Sequence, residues 1–143
     1  LTRDLDEAGL HRRPAENEWS LVEIVGHLID KSEAWGGRMR RMVSEDRPHL
    51  DAFDQDVYVR ERGYQQQACA PLVERLDGIL DALTAFLRGL APDAWRRTGI
   101  HAERGLLTVG EACRLYALSL SEHAEQMLRT RDAALAAQAS GAA

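Results

Sequence analysis

The chain has 143 residues, enough for one domain around a single core and too few for two. Hydrophobic residues make up 45% and charged residues 29%, the balance of an ordinary globular protein. A formal net charge of −5 argues against a nucleic-acid partner or an anionic membrane surface, because both need concentrated positive charge.

No stretch has the ~20 apolar residues of a membrane span. The polar opening Leu-Thr-Arg-Asp-Leu-Asp-Glu does not read as a secretory signal, so the expected location is the cytoplasm. Cys69 and Cys113 lie outside any CxxC spacing and are expected as reduced, small hydrophobic residues.

Residues 1–18 combine Leu1, Leu5 and Leu10 with the loop-forming run from Arg12 to Glu18, which predicts a helical stub followed by a loop. Ser20 and Glu23 then form a capping box, with Trp19 placed to staple onto Ile24. The helix it starts is expected from Leu21 to about Val43, because Leu21, Ile24, Val25, Leu28, Trp35, Met39 and Met42 recur at helical spacing. His27 falls on the flank of that stripe. Gly36-Gly37 within it costs about 1 kcal/mol per glycine relative to alanine, so a bend or a close neighbour is expected there. Arg38, Arg40, Arg41 and Arg47 are expected to close the last turn, where cations suit the helix dipole.

Ser44 to Leu50 is turn chemistry around Pro48, with His49 expected in a loop. Residues 52–68, with Phe53, Val57, Tyr58 and Tyr64 among many charges, predict a short, partly exposed helix. Pro71 suits the first turn of the next one, and the leucine pattern from Leu72 to Leu90 is the strongest helical period in the chain. Pro92 stops it, and Trp95 to Leu106 is expected as a connecting loop anchored by His101.

A second capping box, Thr108 with Glu111, starts the last helix near Val109. Val109, Cys113, Tyr116, Leu120, Met127 and Ala134 share one stripe, with His123 inside it and Ser119 one turn earlier on its edge. This is the helix around which the chain is expected to be organised. Residues 137–143 are expected to fray, and no strand pattern appears anywhere. The expected architecture is a single all-α domain, an up-down helical bundle.

His27 and His123 are the histidines placed on core faces, and they lie on helices that a bundle can bring together. Imidazole suits zinc, nickel, copper or iron, and a catalytic zinc takes three protein ligands plus an open position. Two histidines are one ligand short. The place to look is one turn from His123, and there stands Ser119, a poor ligand. The plain alternative is two buried, neutral, hydrogen-bonded core histidines.

Four segments carry a resemblance: Trp19-Ser20-x-x-Glu23-Ile24-x-Gly26-His27-Leu28-x-Asp30, the loop Gly99 to Gly105, Leu107-Thr108, and His123-Ala124-Glu125-Gln126-Met127. In order and spacing they resemble the DinB/YfiT-like superfamily of four-helix proteins, from Leu10 to Leu128. The resemblance implies a divalent metal held by one histidine of the second helix and a pair four residues apart on the last. His27 matches the first ligand and His123 the last. The middle one falls on Ser119, where the family pattern has histidine, or glutamate in its thiol-dependent isomerases; Asp30, Glu33 and Glu122 are the candidates to substitute. Glu23 is a candidate to orient His27, although its capping role already explains it.

The family's long first helix is a stub here, which implies either a shortened chain or a bundle completed by a second copy; a homodimer is expected. The function implied is that of a divalent-metal-dependent enzyme, with zinc or nickel. It would hydrolyse a small amide or ester, or transfer a low-molecular-weight thiol, through Lewis-acid activation of water or thiol. The alternative is a metal-free bundle serving as a binding or stress-response protein. Metal analysis with His27→Ala and His123→Ala separates the two.

Overall fold

Both capping boxes form, and they fix where the two longest helices begin. The Ser20 hydroxyl accepts from the Glu23 amide while the Glu23 carboxylate accepts from the Ser20 amide at 2.9 Å. Thr108 and Glu111 repeat the exchange. A computed structural model describes residues 3–51 and 55–141. The expectations for Phe53 and for the Val57 and Tyr58 side chains lie outside what is described.

In chain order the helices are α1 (Glu7–His11), α2 (Leu21–Ser44), α3 (Gln55–Arg62), α4 (Cys69–Arg88) and α5 (Val109–Ala139). Single 3-10 turns follow α3 at Tyr64–Gln66 and follow α4 at Pro92–Arg96. The result is the expected helical bundle, with α2, α4 and α5 long and the first helix reduced to a stub. Its tail is shorter than expected, since α5 continues to Ala139 rather than fraying from 137.

The organising element is α2, not α5. From Leu21 to Asp30 every residue of α2 is buried, because α1, α3, α4 and α5 all pack against it. One core unites Leu21, Ile24, Val25, Leu28 and Ile29 with Leu72, Leu76, Tyr64 and Ala134. A second, farther along, gathers Met39, Met42, Leu50, Leu83, Val109 and Tyr116. Each of the buried Leu, Ile, Val and Met side chains contributes about 1.5–3 kcal/mol by leaving water. By contrast α5 buries only its inner stripe: Val109, Ala112, Tyr116, Thr130 and Ala134 are buried, whereas Cys113, Leu120 and Met127 are half-buried. Both cysteines are free.

Close packing explains one glycine. A Cβ on Gly26 would stand 2.2 Å from the Tyr64 ring, so only glycine lets that ring lie against α2 beside His27. The Gly36-Gly37 pair has no such partner. A Cβ at Gly36 would make ordinary contact with Leu83 at 3.5 Å, and Gly37 faces open space.

The expectation of no strands is corrected. Three short strands, β1 (His49–Leu50), β2 (Thr98–His101) and β3 (Gly105–Thr108), form a sheet in the order β1-β2-β3. β1 runs parallel to β2, with His49 opposite Ile100, and β2 is antiparallel to β3, with His101 opposite Gly105. Gly105, at φ +70, ends a three-residue hairpin loop, a position that favours a residue without Cβ. His49 is therefore a strand residue and not a loop residue, and the Trp95–Leu106 segment is mostly turn and hairpin.

The arginine cluster also divides. Arg41 holds the last turn, bonding Glu45 at 3.0 Å and the His49 carbonyl at 3.0 Å. Arg38 is buried, bonds the Asp51 carbonyl and lies over the Trp35 ring, and Arg40 lies over Phe86.

Candidate metal centre

His27 and His123 meet. Their Nε2 atoms are 3.1 Å apart and their ring centroids 4.6 Å apart, nearly edge to face. The Trp19 ring also packs on His27, at 4.9 Å between centroids. His27 is fully buried and His123 half-buried. Its position on α2 explains the difference: the first turns of α2 are enclosed on all sides, while α5 keeps one face to solvent.

A third group closes on the pair. Lys31, one turn beyond His27 on α2, donates from Nζ to His123 Nε2 at 3.1 Å. An ammonium can only donate, so His123 Nε2 is an acceptor and its proton sits on Nδ1. There it donates to Gln126 Oε1 at 2.9 Å. This tautomer offers the Nε2 lone pair to a ligand, and the amide one turn away holds the ring in place, as outer partners of ligating histidines do.

Burial pushes the His27 imidazole down to about 3, with the neighbouring His123 and Lys31 acting in the same direction. Burial also lowers His123, against the pull of its Gln126 bond, and Lys31 adds to the lowering. Both rings are therefore neutral at neutral pH, the form in which imidazole ligates. Lys31 too is lowered by burial, opposed by Glu122.

Of the other candidates, Glu122 lines the same cleft as His123; the rest are engaged elsewhere. Asp30 faces Arg62 at 3.7 Å, and Glu33 bonds Arg75 at 2.7 Å. Glu23 accepts from Ser20 and from Arg13 Nε at 2.8 Å, so it serves the cap and an ion pair and does not orient His27. Burial alone would raise the Glu23 carboxyl, but the Arg13 and Ser20 bonds prevail and hold it below its ordinary value. His101 anchors its turn, accepting from the Glu103 amide at 3.2 Å and stacking on Trp35. Among the described residues no three His, Cys, Asp or Glu side chains gather where they could hold an ion.

The pair itself has ligand spacing. Two nitrogens of a tetrahedral zinc, each ~2.0–2.1 Å from the metal, are about 3.3 Å apart, and the observed separation is 3.1 Å. Without an ion, His27 Nε2–H donates across that gap to the His123 lone pair; with the His27 proton on Nδ1 instead, the same spacing would suit two ligands of one ion. His123 also lines a cleft of about 540 Å³ with Glu18, Trp19, Glu122, Gln126 and Arg129, large enough for a small molecule.

Neither Lys31 nor Gln126 was singled out by sequence spacing. The i, i+4 relation applied to His27 as well as to His123 leads directly to Lys31. For Gln126 the signal was its place one turn after His123 on the same face.

The chain is 23% identical over 123 residues to "Putative metal-dependent hydrolase BH0277" of Halalkalibacterium halodurans, covering 86% of this chain and 71% of that one. It is also 23% identical over 124 residues to "Putative metal-dependent hydrolase OB0782" of Oceanobacillus iheyensis, covering 84% and 69%. In three dimensions it resembles YfiT of Bacillus subtilis, described as a probable metal-dependent hydrolase with an unusual four-helix bundle topology. The TM-score is 0.81 at 18% identity, over 90% of this chain and 74% of that one. That likeness shows the fold, and the DinB superfamily model matches residues 1–127. The chain belongs to the DinB superfamily.

Proposed function

We propose that this chain is a divalent-metal-dependent enzyme of the DinB superfamily acting on a small molecule, with His27 and His123 as its protein ligands and zinc or nickel as the ion. The observation that carries this is the 3.1 Å approach of the two Nε2 atoms, with both rings neutral and His123 held in the ligating tautomer by Gln126. The names of the two bacterial relatives support the same class.

A bound ion of this kind supplies Lewis acidity, which lowers the pKa of a water or thiol presented to it. The chain's own residues do the rest. His27, fully buried and packed on both Trp19 and His123, would provide a fixed donor. His123 provides a donor at the floor of the cleft, where a small ester, amide or thiol has room. Ser119 leaves the protein ligand set one short of three, so additional donors come from solvent or substrate.

Metal content of the purified protein tests this. A stoichiometric transition metal, or its uptake on titration, that is lost in both His27→Ala and His123→Ala while circular dichroism is unchanged supports the assignment. A wild type that takes up no zinc, nickel or cobalt overturns it. Hydrolysis of small esters and transfer of low-molecular-weight thiols, assayed side by side on the loaded protein, identify the reaction.

A further inference from the structure

Lys31 is half-buried and its ammonium meets the one atom of His123 that a metal would use. α2 and α5 run antiparallel: His27 lies against His123, and farther along α2 Ser32 accepts from Tyr116, which lies earlier on α5, at 2.7 Å. One turn forward from His27 therefore comes level with one turn back from His123. Lys31 and Ser119 share that level. A serine side chain is short and reaches less far than the histidine or glutamate of the family pattern, while the Lys31 ammonium reaches His123 Nε2.

We propose that Lys31 is the resident cation of this centre: its ammonium takes the lone pair and the space that a divalent ion needs, and so sets how tightly the ion is held. This rests on His27 and His123 being the ligand pair. An ammonium has three donors and no acceptor, so it satisfies a neutral imidazole nitrogen but cannot join a metal's coordination shell. Like charges at this range repel strongly where water is scarce. The ion and the ammonium are alternatives. The four-carbon stem is flexible, and Glu122, whose charge already acts on Lys31, sits at the rim of the adjoining cleft. The lysine is thus a competitor that can withdraw and not a permanent plug.

Cobalt(II) titration followed by visible absorption tests this on the whole chain. Lys31→Met keeps the stem's bulk and removes the charge, and it is expected to bind cobalt about tenfold or more tightly than wild type. Lys31→Arg keeps a cation and is expected to gain nothing. Lys31→Met with His123→Ala is expected to lose binding. If Lys31→Met binds no tighter than a wild type whose binding His123→Ala abolishes, the competitor role is overturned and the histidine pair stands. If no variant takes up cobalt, both fall. A measurement on the wild type keeps the test independent of how Lys31→Met folds: Lys31 is expected to become more reactive to reductive methylation when cobalt saturates the protein. Unchanged reactivity overturns the proposal.

Discussion

The two helices that carry the site differ in how much freedom they leave it. α2 is enclosed from Leu21 to Asp30, so His27 is held in one packed environment against Trp19 and His123. α5 is buried along a single stripe, and His123 looks into a cleft with Glu122 exposed beside it. One ring is set by packing and the other remains accessible to a ligand. A binding site built this way has a rigid wall and an adaptable one, and substitutions on the two walls should differ accordingly.

The largest expected effect is on the rigid side. Gly26→Ala pushes a methyl group into the Tyr64 ring, a collision that backbone packing on all sides of α2 cannot relieve. A loss of about 3 kcal/mol in urea unfolding is expected, at the upper end of overpacking costs. Part of it should return in Gly26→Ala with Tyr64→Leu, because the two positions share one contact. A loss under about 0.5 kcal/mol would show that α2 is not the rigid wall.

Next comes the buried carboxylate one turn before His27. Glu23→Gln weakens the cap and the Arg13 pair, at a cost of about 1–3 kcal/mol at neutral pH. The Glu23 carboxyl is held below its ordinary value of 4.5, so its contribution is complete above that value and is lost as pH falls through the lower folded one. Wild-type stability should therefore fall more steeply than that of Glu23→Gln as pH drops below about 4.5; parallel curves would remove the assigned role.

The smallest effect belongs to the outer face of α5. Leu118 is 54% exposed, and Leu118→Gln is expected to change stability by no more than about 0.5 kcal/mol. A larger loss would mean that this face is covered in solution, and sedimentation of the same variant would show whether a second copy covers it.

Much of this was legible from spacing alone. The two capping boxes, the helix limits and the placement of His27 and His123 on facing stripes all follow from residues three and four apart. Centrality did not follow. Spacing marks an apolar stripe on both helices, but how many elements close over each stripe depends on which helices stand opposite, and four of them pack on α2. The β-strands were missed because four residues give too few alternations to separate a strand from a loop, and β1 has only two. Lys31 was missed because a lysine reads as a solvated charge, and its burial depends on which helix stands opposite.

The small sheet has a consequence for the order in which the molecule assembles. β1 joins β2 across most of the middle of the chain, with the whole of α4 between them, so this pairing closes a long loop and gains its hydrogen bonds only after that entropy is lost. The hairpin and the helix starts are local and can form early. Native-state hydrogen exchange should thus find the Ile100 amide, held by the Pro48 carbonyl at 2.9 Å, opening before the amides of α2, with the sheet end of the bundle the last to zip and the first to come apart.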